Sequence, residues 1–373
     1  IYTLSLHDAL PIYQPMTTSA EAVRRRLAGL KPGERIDPGF ALEAARTASV
    51  HELGEAALRQ RRARHGDRAY YVYNQHLNYT NICRNQCRFC AYFKRKGEDG
   101  GYAYTLDQIR EELQARKNQP VREIHIVGGL NPDLPYQYYL DMLSLCREIR
   151  PQAVIKAFTA VEVAHFADTQ GLDEATVLED MRRAGLDILP GGGAEVFAPA
   201  MRAKLCPEKI SGERWLRIHG LAHGMGMRTN CTMLFGHVES WEDRIHHLER
   251  LRELEDESPG FVCFIPLAYQ PRNNELAAAG PTGEDYLRMI SLSRIFLDNI
   301  PHIKAYWAFV GIKAAQMALW AGADDFDGTI VEEKIGHAAG ADSPTGLTID
   351  ELVRVITATG FTPVQRDTFF QEV

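Results

Sequence analysis

Apolar positions in this chain follow two alternating periods. From residue 70 onward, short runs of β-branched and aromatic residues alternate with longer stretches in which apolar side chains recur every third or fourth position. This is the pattern of parallel βα units. It predicts strands near residues 71–79, 124–127, 154–158, 188–189, 228–234, 261–265, 303–309 and 324–327. Helices are predicted around 106–117, 136–149, 173–184, 212–223, 240–254, 283–297 and 313–321. Thr105 before Gln108, Asp173 before Thr176 and Ser240 before Asp243 stand where N-capping side chains belong. Eight strands with intervening helices, and no repeat or low-complexity linker to divide them, predict one α/β domain built as a (β/α)8 TIM-type barrel.

Two helical patterns, 20–30 and 51–64, precede the barrel as a helical N-terminal lead-in, and a last helix, 349–358, follows it before a polar tail. The expected organisation is a lead-in over 16–69, a barrel over 70–335, and a C-terminal helix and tail over 336–373 packed on the barrel. Residues 1–15 fit none of this, and Met16 followed by Thr17, Thr18 and Ser19 reads like a translation start. The first fifteen residues are therefore expected to be a non-native or disordered leader.

With 373 residues, 45% of them hydrophobic, the chain can bury a core of barrel size. A formal net charge of −7 lacks the basic excess that binding to a phosphate backbone needs, so nucleic acid is not expected as a partner. Apolar runs such as 263–268 are too short to span a bilayer, and no basic start precedes a secretory-type apolar segment. No membrane partner and a cytoplasmic location are expected.

Three of the seven cysteines crowd into eight positions after the first predicted strand: Cys83, Cys87 and Cys90, in the order C-x3-C-x2-C. An odd count with this spacing suits a metal site better than a disulfide framework. Three thiolates on one loop can hold three irons of a [4Fe–4S] cubane and leave the fourth iron open to an outside ligand. Two other readings stand beside this one. A tetrahedral zinc site would need a fourth ligand, for which His76 is nearest, or the three could be unrelated reduced thiols. Cys146, Cys206, Cys231 and Cys263 stand singly and read as buried small hydrophobes.

The C-x3-C-x2-C motif with an aromatic, Phe89, before its third cysteine resembles the signature of the radical S-adenosylmethionine superfamily. The segments 78–83 (Asn-Tyr-Thr-Asn-Ile-Cys), 190–195 (Pro-Gly-Gly-Gly-Ala-Glu), 264–274 and 324–329, with Glu332, Glu333 and Lys334, resemble the aminofutalosine synthase family of the futalosine route to menaquinone. The resemblance runs from about residue 50 to 362. The cyclic dehypoxanthinyl futalosine synthases and the tyrosine-using half of deazaflavin-chromophore synthase share the cluster motif. The 190–195 and 269–274 segments favour the first family.

That resemblance implies an enzyme with a [4Fe–4S] cluster on Cys83, Cys87 and Cys90 and S-adenosyl-L-methionine consumed as co-substrate. Its reaction would add the 5′-deoxyadenosyl radical to 3-[(1-carboxyvinyl)oxy]benzoate, with an electron donor such as flavodoxin or ferredoxin. A radical addition demands positioning and dryness rather than a strong base, in keeping with the lack of any hydrolase-type triad. The alternative of a different class is a non-catalytic iron–sulfur or zinc protein; no fourth cysteine lies nearer than Cys146 to support a closed electron-transfer cluster.

The cofactor-binding candidates are Phe89, Gly128, Gly129, Glu162, Glu195 and Arg202. Gly128 and Gly129 end the second predicted strand, where close backbone approach needs glycine; the plain alternative is a tight turn. Glu162 and Glu195 follow the third and fourth strands and could meet ribose hydroxyls or an ammonium, or merely cap helices. Arg202 could pair with the cofactor carboxylate or be surface charge. Tyr269, Arg272 and Asn273, after the sixth strand, are the candidates for the substrate carboxylates, with Arg272 offering a bidentate fork or, in the plainer reading, a loop salt bridge. His237 is expected to orient rather than to exchange protons.

Overall fold

A computed structural model describes residues 18–331 and 334–373. The expectation for residues 1–15 and the resemblance at Glu332 and Glu333 lie outside the described residues. Ten strands are found among them: β1 (Arg68–Val72), β2 (Asn74–Leu77), β3 (Glu123–Ile126), β4 (Val154–Ala157), β5 (Ile188–Leu189), β6 (Arg228–Phe235), β7 (Phe261–Ala268), β8 (His302–Ile303), β9 (Asp325–Gly328) and β10 (Thr362–Arg366).

Strands β2 to β8 form one parallel sheet in chain order. The ring is completed through β9. Lys304 bridges to Asp325 beside β8, and Gln75 bridges to Val331 beside β2. Eight parallel strands with helices outside make the barrel predicted from the pattern, and they put the C-terminal strand ends, where barrel sites are built, on one face.

The first predicted strand, 71–79, is two strands. The chain breaks at Tyr73: β1 pairs outward with β9 and with β10, and only β2 enters the barrel against β3. Strand β10 was read as polar tail, yet all five of its residues pair in parallel with β1. Its run Thr-Pro-Val-Gln-Arg is half-buried, so it lacks the apolar alternation that marks a strand. The predicted strand 303–309 is confined to His302–Ile303, and its aromatic half is the short helix Trp307–Val310. Periodicity cannot separate a short apolar strand from a short buried helix. The helices Pro38–Thr47, Ala160–Gln170 and Pro199–Leu205 were not predicted as elements.

The lead-in helices Pro38–Thr47 and Val50–His65 pack against the barrel's outer helices Trp241–Glu257 and Gly283–Phe296, and Thr18–Gly29 packs on those two lead-in helices. Arg61 fastens this layer, donating to the carbonyls of Ala323 (3.0 Å), Gly66 (2.6 Å) and Arg68 (2.6 Å). Thr105, Asp173 and Ser240 cap their helices as the sequence suggests, Thr105 and Ser240 through reciprocal capping boxes. Among the described residues, no helix is long and apolar enough to cross a membrane.

Candidate active site

One cavity of about 310 Å³ opens at the C-terminal strand ends and runs into the barrel. Its rim is the loop after β2. Lys94 N donates to Asn81 O (2.8 Å) and Cys83 N to Lys94 O (3.0 Å), so residues 81–94 close on themselves. The Asn81 side chain clasps the next segment, donating to Gly100 O (2.9 Å) and accepting from Tyr102 N (2.8 Å). This tied loop presents Cys83, Cys87, Phe89 and Cys90 to the cavity.

The donor set separates the metal readings. Cys83, Cys87 and Cys90 all open onto one cavity that leaves room beside them. A cubane takes three thiolates and needs a roomy approach to its fourth iron, whereas a structural zinc would want a fourth protein ligand closed around it. The residues present therefore fit the cluster. Burial raises the pKa of each of the three thiols, while the cation of Lys209 opposes that rise in all of them. Leu130 N donates to Cys83 Sγ at 3.4 Å.

Gly128 and Gly129 line the same cavity. A side chain on Gly128 would meet the Tyr79 ring at 2.6 Å, and one on Gly129 would meet Ile82 O at 2.3 Å. Glycine is needed there for the strand end to lie against the cysteine loop.

Glu162 and Glu195 both line the cavity, and the structure gives them different partners. Glu162 is the reciprocal member of a capping box, accepting from Thr159 N (2.7 Å) and Thr159 Oγ1 (2.6 Å) through Oε2. Its Oε1 is buried without a partner among the described residues. Burial lifts its pKa to about 7, against the pull of the Thr159 bonds and of Lys209. Glu195, at positive φ (47°), is ion-paired with Lys209, Oε1 to Nζ 2.5 Å. Lys209 lies 5.2 Å above the Phe89 ring. Sequence reasoning missed Lys209, since nothing in Cys206-Pro207-Glu208-Lys209 sets it apart from an exposed loop lysine.

Arg202 is buried but does not line the cavity. Its guanidinium donates to the carbonyls of Ala194, Val196 (3.3 Å), Gly193 (3.2 Å) and Ile210 (2.5 Å), clamping the 193–196 loop from behind. It supports Glu195 instead of facing a cofactor carboxylate.

Of the three substrate candidates, Tyr269 lines the cavity, and its hydroxyl donates to Leu276 O (2.5 Å). Arg272 and Asn273 lie outside it. Arg272 is exposed, its side chain laid over Gly340, and Asn273 donates to Ala338 O (2.9 Å) at positive φ (58°). The expectation that Arg272 faces the substrate is corrected: following a strand end places a residue at the mouth without aiming it inward. His237 does not line the cavity either; it is held by Leu234 O (3.1 Å) and Glu239 (2.8 Å).

Besides Lys209, the cavity holds polar and charged groups on and beside the strands themselves. His76, His125 and Lys156 stand in register across β2, β3 and β4. Lys156 Nζ pairs with Glu123 at 2.5 Å, and Lys304 Nζ with Asp327 at 2.5 Å and Asp325 at 3.5 Å. With Asn230 of β6, His76, His125, Lys156, Lys304 and Asp327 make a polar floor, and Glu123 and Asp325 lie behind it. A sequence signal existed, because Lys156 and Lys304 are single charges inside apolar strand runs.

Residues 77–251 match the Radical SAM superfamily, and residues 258–372 match the CofH/MqnC C-terminal region. The chain is 42% identical over 346 residues to the aminodeoxyfutalosine synthase of Thermus thermophilus, covering 91% of this chain and 93% of that one. It is 38% identical over 355 residues to the 5-amino-6-(D-ribitylamino)uracil–L-tyrosine 4-hydroxyphenyl transferase of Methanoculleus marisnigri, covering 93% and 97%. In fold it is similar to the crystal structure of methylornithine synthase, with a TM-score of 0.71 at 18% identity over 91% of this chain and 97% of that one.

Proposed function

This chain belongs to the radical SAM superfamily, in the group that joins a radical SAM domain to a CofH/MqnC C-terminal region, and we propose that it is an aminodeoxyfutalosine synthase. In this reading it adds the 5′-deoxyadenosyl group of S-adenosyl-L-methionine to the enolpyruvyl double bond of 3-[(1-carboxyvinyl)oxy]benzoate. With water consumed, the products are 6-amino-6-deoxyfutalosine, methionine and bicarbonate. The observation that carries the reading is the 42% identity to an aminodeoxyfutalosine synthase across nine-tenths of both chains.

Cys83, Cys87 and Cys90 would hold the [4Fe–4S] cluster, which supplies the electron that cleaves the sulfonium when it is bound. The chain's own residues do the rest. Gly128 and Gly129 bring main-chain groups to the methionine moiety. The unpartnered Oε1 of Glu162 accepts from a donor of the cofactor, and Glu195, fixed by Lys209 and the Arg202 clamp, meets a second one. Phe89 and Tyr269 wall the cavity, which keeps water from the reacting carbons. Exposed Arg84, Arg88 and Arg95 give an otherwise acidic chain a positive face on the cysteine loop, suited to an acidic one-electron carrier such as flavodoxin or ferredoxin.

The test is anaerobic turnover of the reconstituted protein with S-adenosyl-L-methionine, dithionite and the enolpyruvyl benzoate, read by product mass. Formation of 6-amino-6-deoxyfutalosine is expected. Turnover of tyrosine or of dehypoxanthine futalosine in its place would overturn the reading.

A further inference from the structure

We infer that residues 272–276 form a brace that ties one wall of the cavity, residues 335–339, to the cysteine loop, and that Asn273 and Asn274 are thereby positioning residues for the substrate; the kinetic part of this rests on the function proposed above. The wall follows the C-terminal end of β9, and Ile335, Gly336 and Ala339 line the cavity. Packing does little to hold it. Among the described residues between positions 330 and 347, Ala339 has the one buried apolar side chain. A segment with so few apolar contacts opens readily unless hydrogen bonds hold it.

The brace supplies those bonds. Arg272 N donates to Ala339 O (3.1 Å), and Asn273 Nδ2 donates to Ala338 O (2.9 Å). The Arg272 stem lies against Gly340, where a side chain would meet its Cδ at 2.5 Å and where φ is 93°. Both conditions call for glycine. At its other end the brace meets the cysteine loop, with Glu275 N and Leu276 N donating to Arg88 O at 2.8 and 3.1 Å. Between the two ends Asn274 knots the chain: its Nδ2 donates to Gln270 O (2.9 Å) and Arg272 O (3.0 Å), and its Oδ1 accepts from Leu276 N (3.1 Å). Asn273 stands at φ 58°, which asparagine tolerates better than most residues. One amide of the pair is bonded to the wall and the other to the loop itself.

The cysteine loop lies within 77–251, and brace and wall lie within 258–372, so the brace joins the two matched regions across the cavity. In the proposed reaction the adenosyl carbon must meet the enolpyruvyl double bond before any other partner. A 5′-deoxyadenosyl radical that misses it takes a hydrogen atom from a C–H bond of buffer or protein and leaves as 5′-deoxyadenosine. A wall held at a fixed distance from the cysteine loop seats the ether against that carbon and keeps water out.

Hydrogen exchange on the cluster-loaded, full-length protein compares the parent with Asn273→Gly, Asn273→Asp and Asn274→Ala. Glycine keeps the positive φ and removes only the amide, aspartate turns an acceptor toward Ala338 O, and alanine at 274 unties the knot. Each should speed exchange of the 338–341 amides by about three- to tenfold, the worth of one or two exposed hydrogen bonds, with the strand amides unchanged. In anaerobic turnover the KM for 3-[(1-carboxyvinyl)oxy]benzoate should rise by about the same factor, while that for S-adenosyl-L-methionine stays within about twofold. The ratio of 5′-deoxyadenosine to adduct should rise with it. Iron content equal to the parent's certifies assembly, and if Asn274→Ala does not assemble, the two Asn273 variants decide. Unchanged exchange at 338–341 overturns the brace, whether or not the proposed reaction holds. Faster exchange with KM and product ratio unmoved overturns the positioning role and leaves the reaction standing. A parent that forms no adduct overturns the reaction, and the positioning role with it.

Discussion

Lys209 Nζ lies 2.5 Å from Glu195 Oε1, with Glu195 buried and Lys209 half-buried at the cavity that the cysteine loop rims. Burial alone would push the lysine's pKa down, but the neighbouring Cys87 and Glu195 hold it well above the ordinary value. The lysine is thus a fixed cation, and the same charge acts on Cys83, Cys87 and Cys90. Three thiolates gathered on one loop repel one another, and Lys209 is the group that offsets this.

Removing one partner of this pair should be costly. Lys209→Met leaves Glu195 buried and uncompensated, which destabilises a fold by roughly 3–5 kcal/mol. Adding Glu195→Gln should recover most of that loss. Urea unfolding of the metal-free protein, run as a double-mutant cycle, checks it. Equal and additive losses from the two changes would mean that the pair is solvated and weak.

Cluster assembly should depend on three cysteines and no others. Ala at Cys83, Cys87 or Cys90 is expected to abolish iron loading, since no spare thiolate completes the set. Cys146→Ala and Cys263→Ala should keep the cluster. Cys206 is the stringent control, because it is buried and close enough to raise the Cys87 thiol's pKa, yet it does not line the cavity. Iron content and visible absorbance after anaerobic reconstitution decide; loss of iron in Cys206→Ala would redraw the ligand set.

Glu162 should leave a signature in stability against pH. Burial raises its folded pKa from 4.5 to about 7. The folded state therefore holds the proton more tightly than the unfolded chain. Its contribution is fully present below pH 4.5, declines above it, and is lost once the pH passes about 7. That step corresponds to about 3 kcal/mol at most. In Glu162→Gln the slope is absent, so the variant gains on the parent as pH rises from 4.5 to 7.5. Chemical unfolding of metal-free protein across that range measures it, and a difference between parent and variant that stays constant with pH would contradict the assignment.

How far the sequence carried this depends on what each signal encodes. The barrel was legible because strand and helix periods alternate, and the cluster ligands because their spacing lies within one loop. Strand β1 was hidden in a single apolar run: Tyr70 and Leu77 look alike in pattern, although one pairs with β9 and the other with β3. Lys209 gave no local sign of its role. It reaches Glu195 fourteen positions back in the chain, across the helix Pro199–Leu205. Lys156 and Lys304 were readable, for a lone lysine in a buried strand is expensive unless it has a task.

Arg272 and Arg202 show what position alone cannot supply, and they yield the last prediction. Both follow strand ends at the barrel mouth, and both were expected to meet carboxylates. Arg272 instead lies exposed over Gly340, so Arg272→Lys should leave kcat/KM for the enolpyruvyl benzoate within about twofold, as for a surface charge. Arg202 spends its planar fork on four carbonyls of its own chain, three of them in the loop that carries Glu195. A lysine can present only a point charge there. Carbonyls left buried and unpaired cost about 1–3 kcal/mol each, so Arg202→Lys should lower the melting temperature by several degrees or more. It should also raise the KM for S-adenosyl-L-methionine as the 193–196 loop loosens, with the enolpyruvyl benzoate affected less. Thermal unfolding and a two-substrate kinetic analysis separate these outcomes. If Arg272→Lys proves the damaging change and Arg202→Lys the silent one, the 272–274 loop must fold inward over the bound substrate, and the carboxylate contact returns to Arg272.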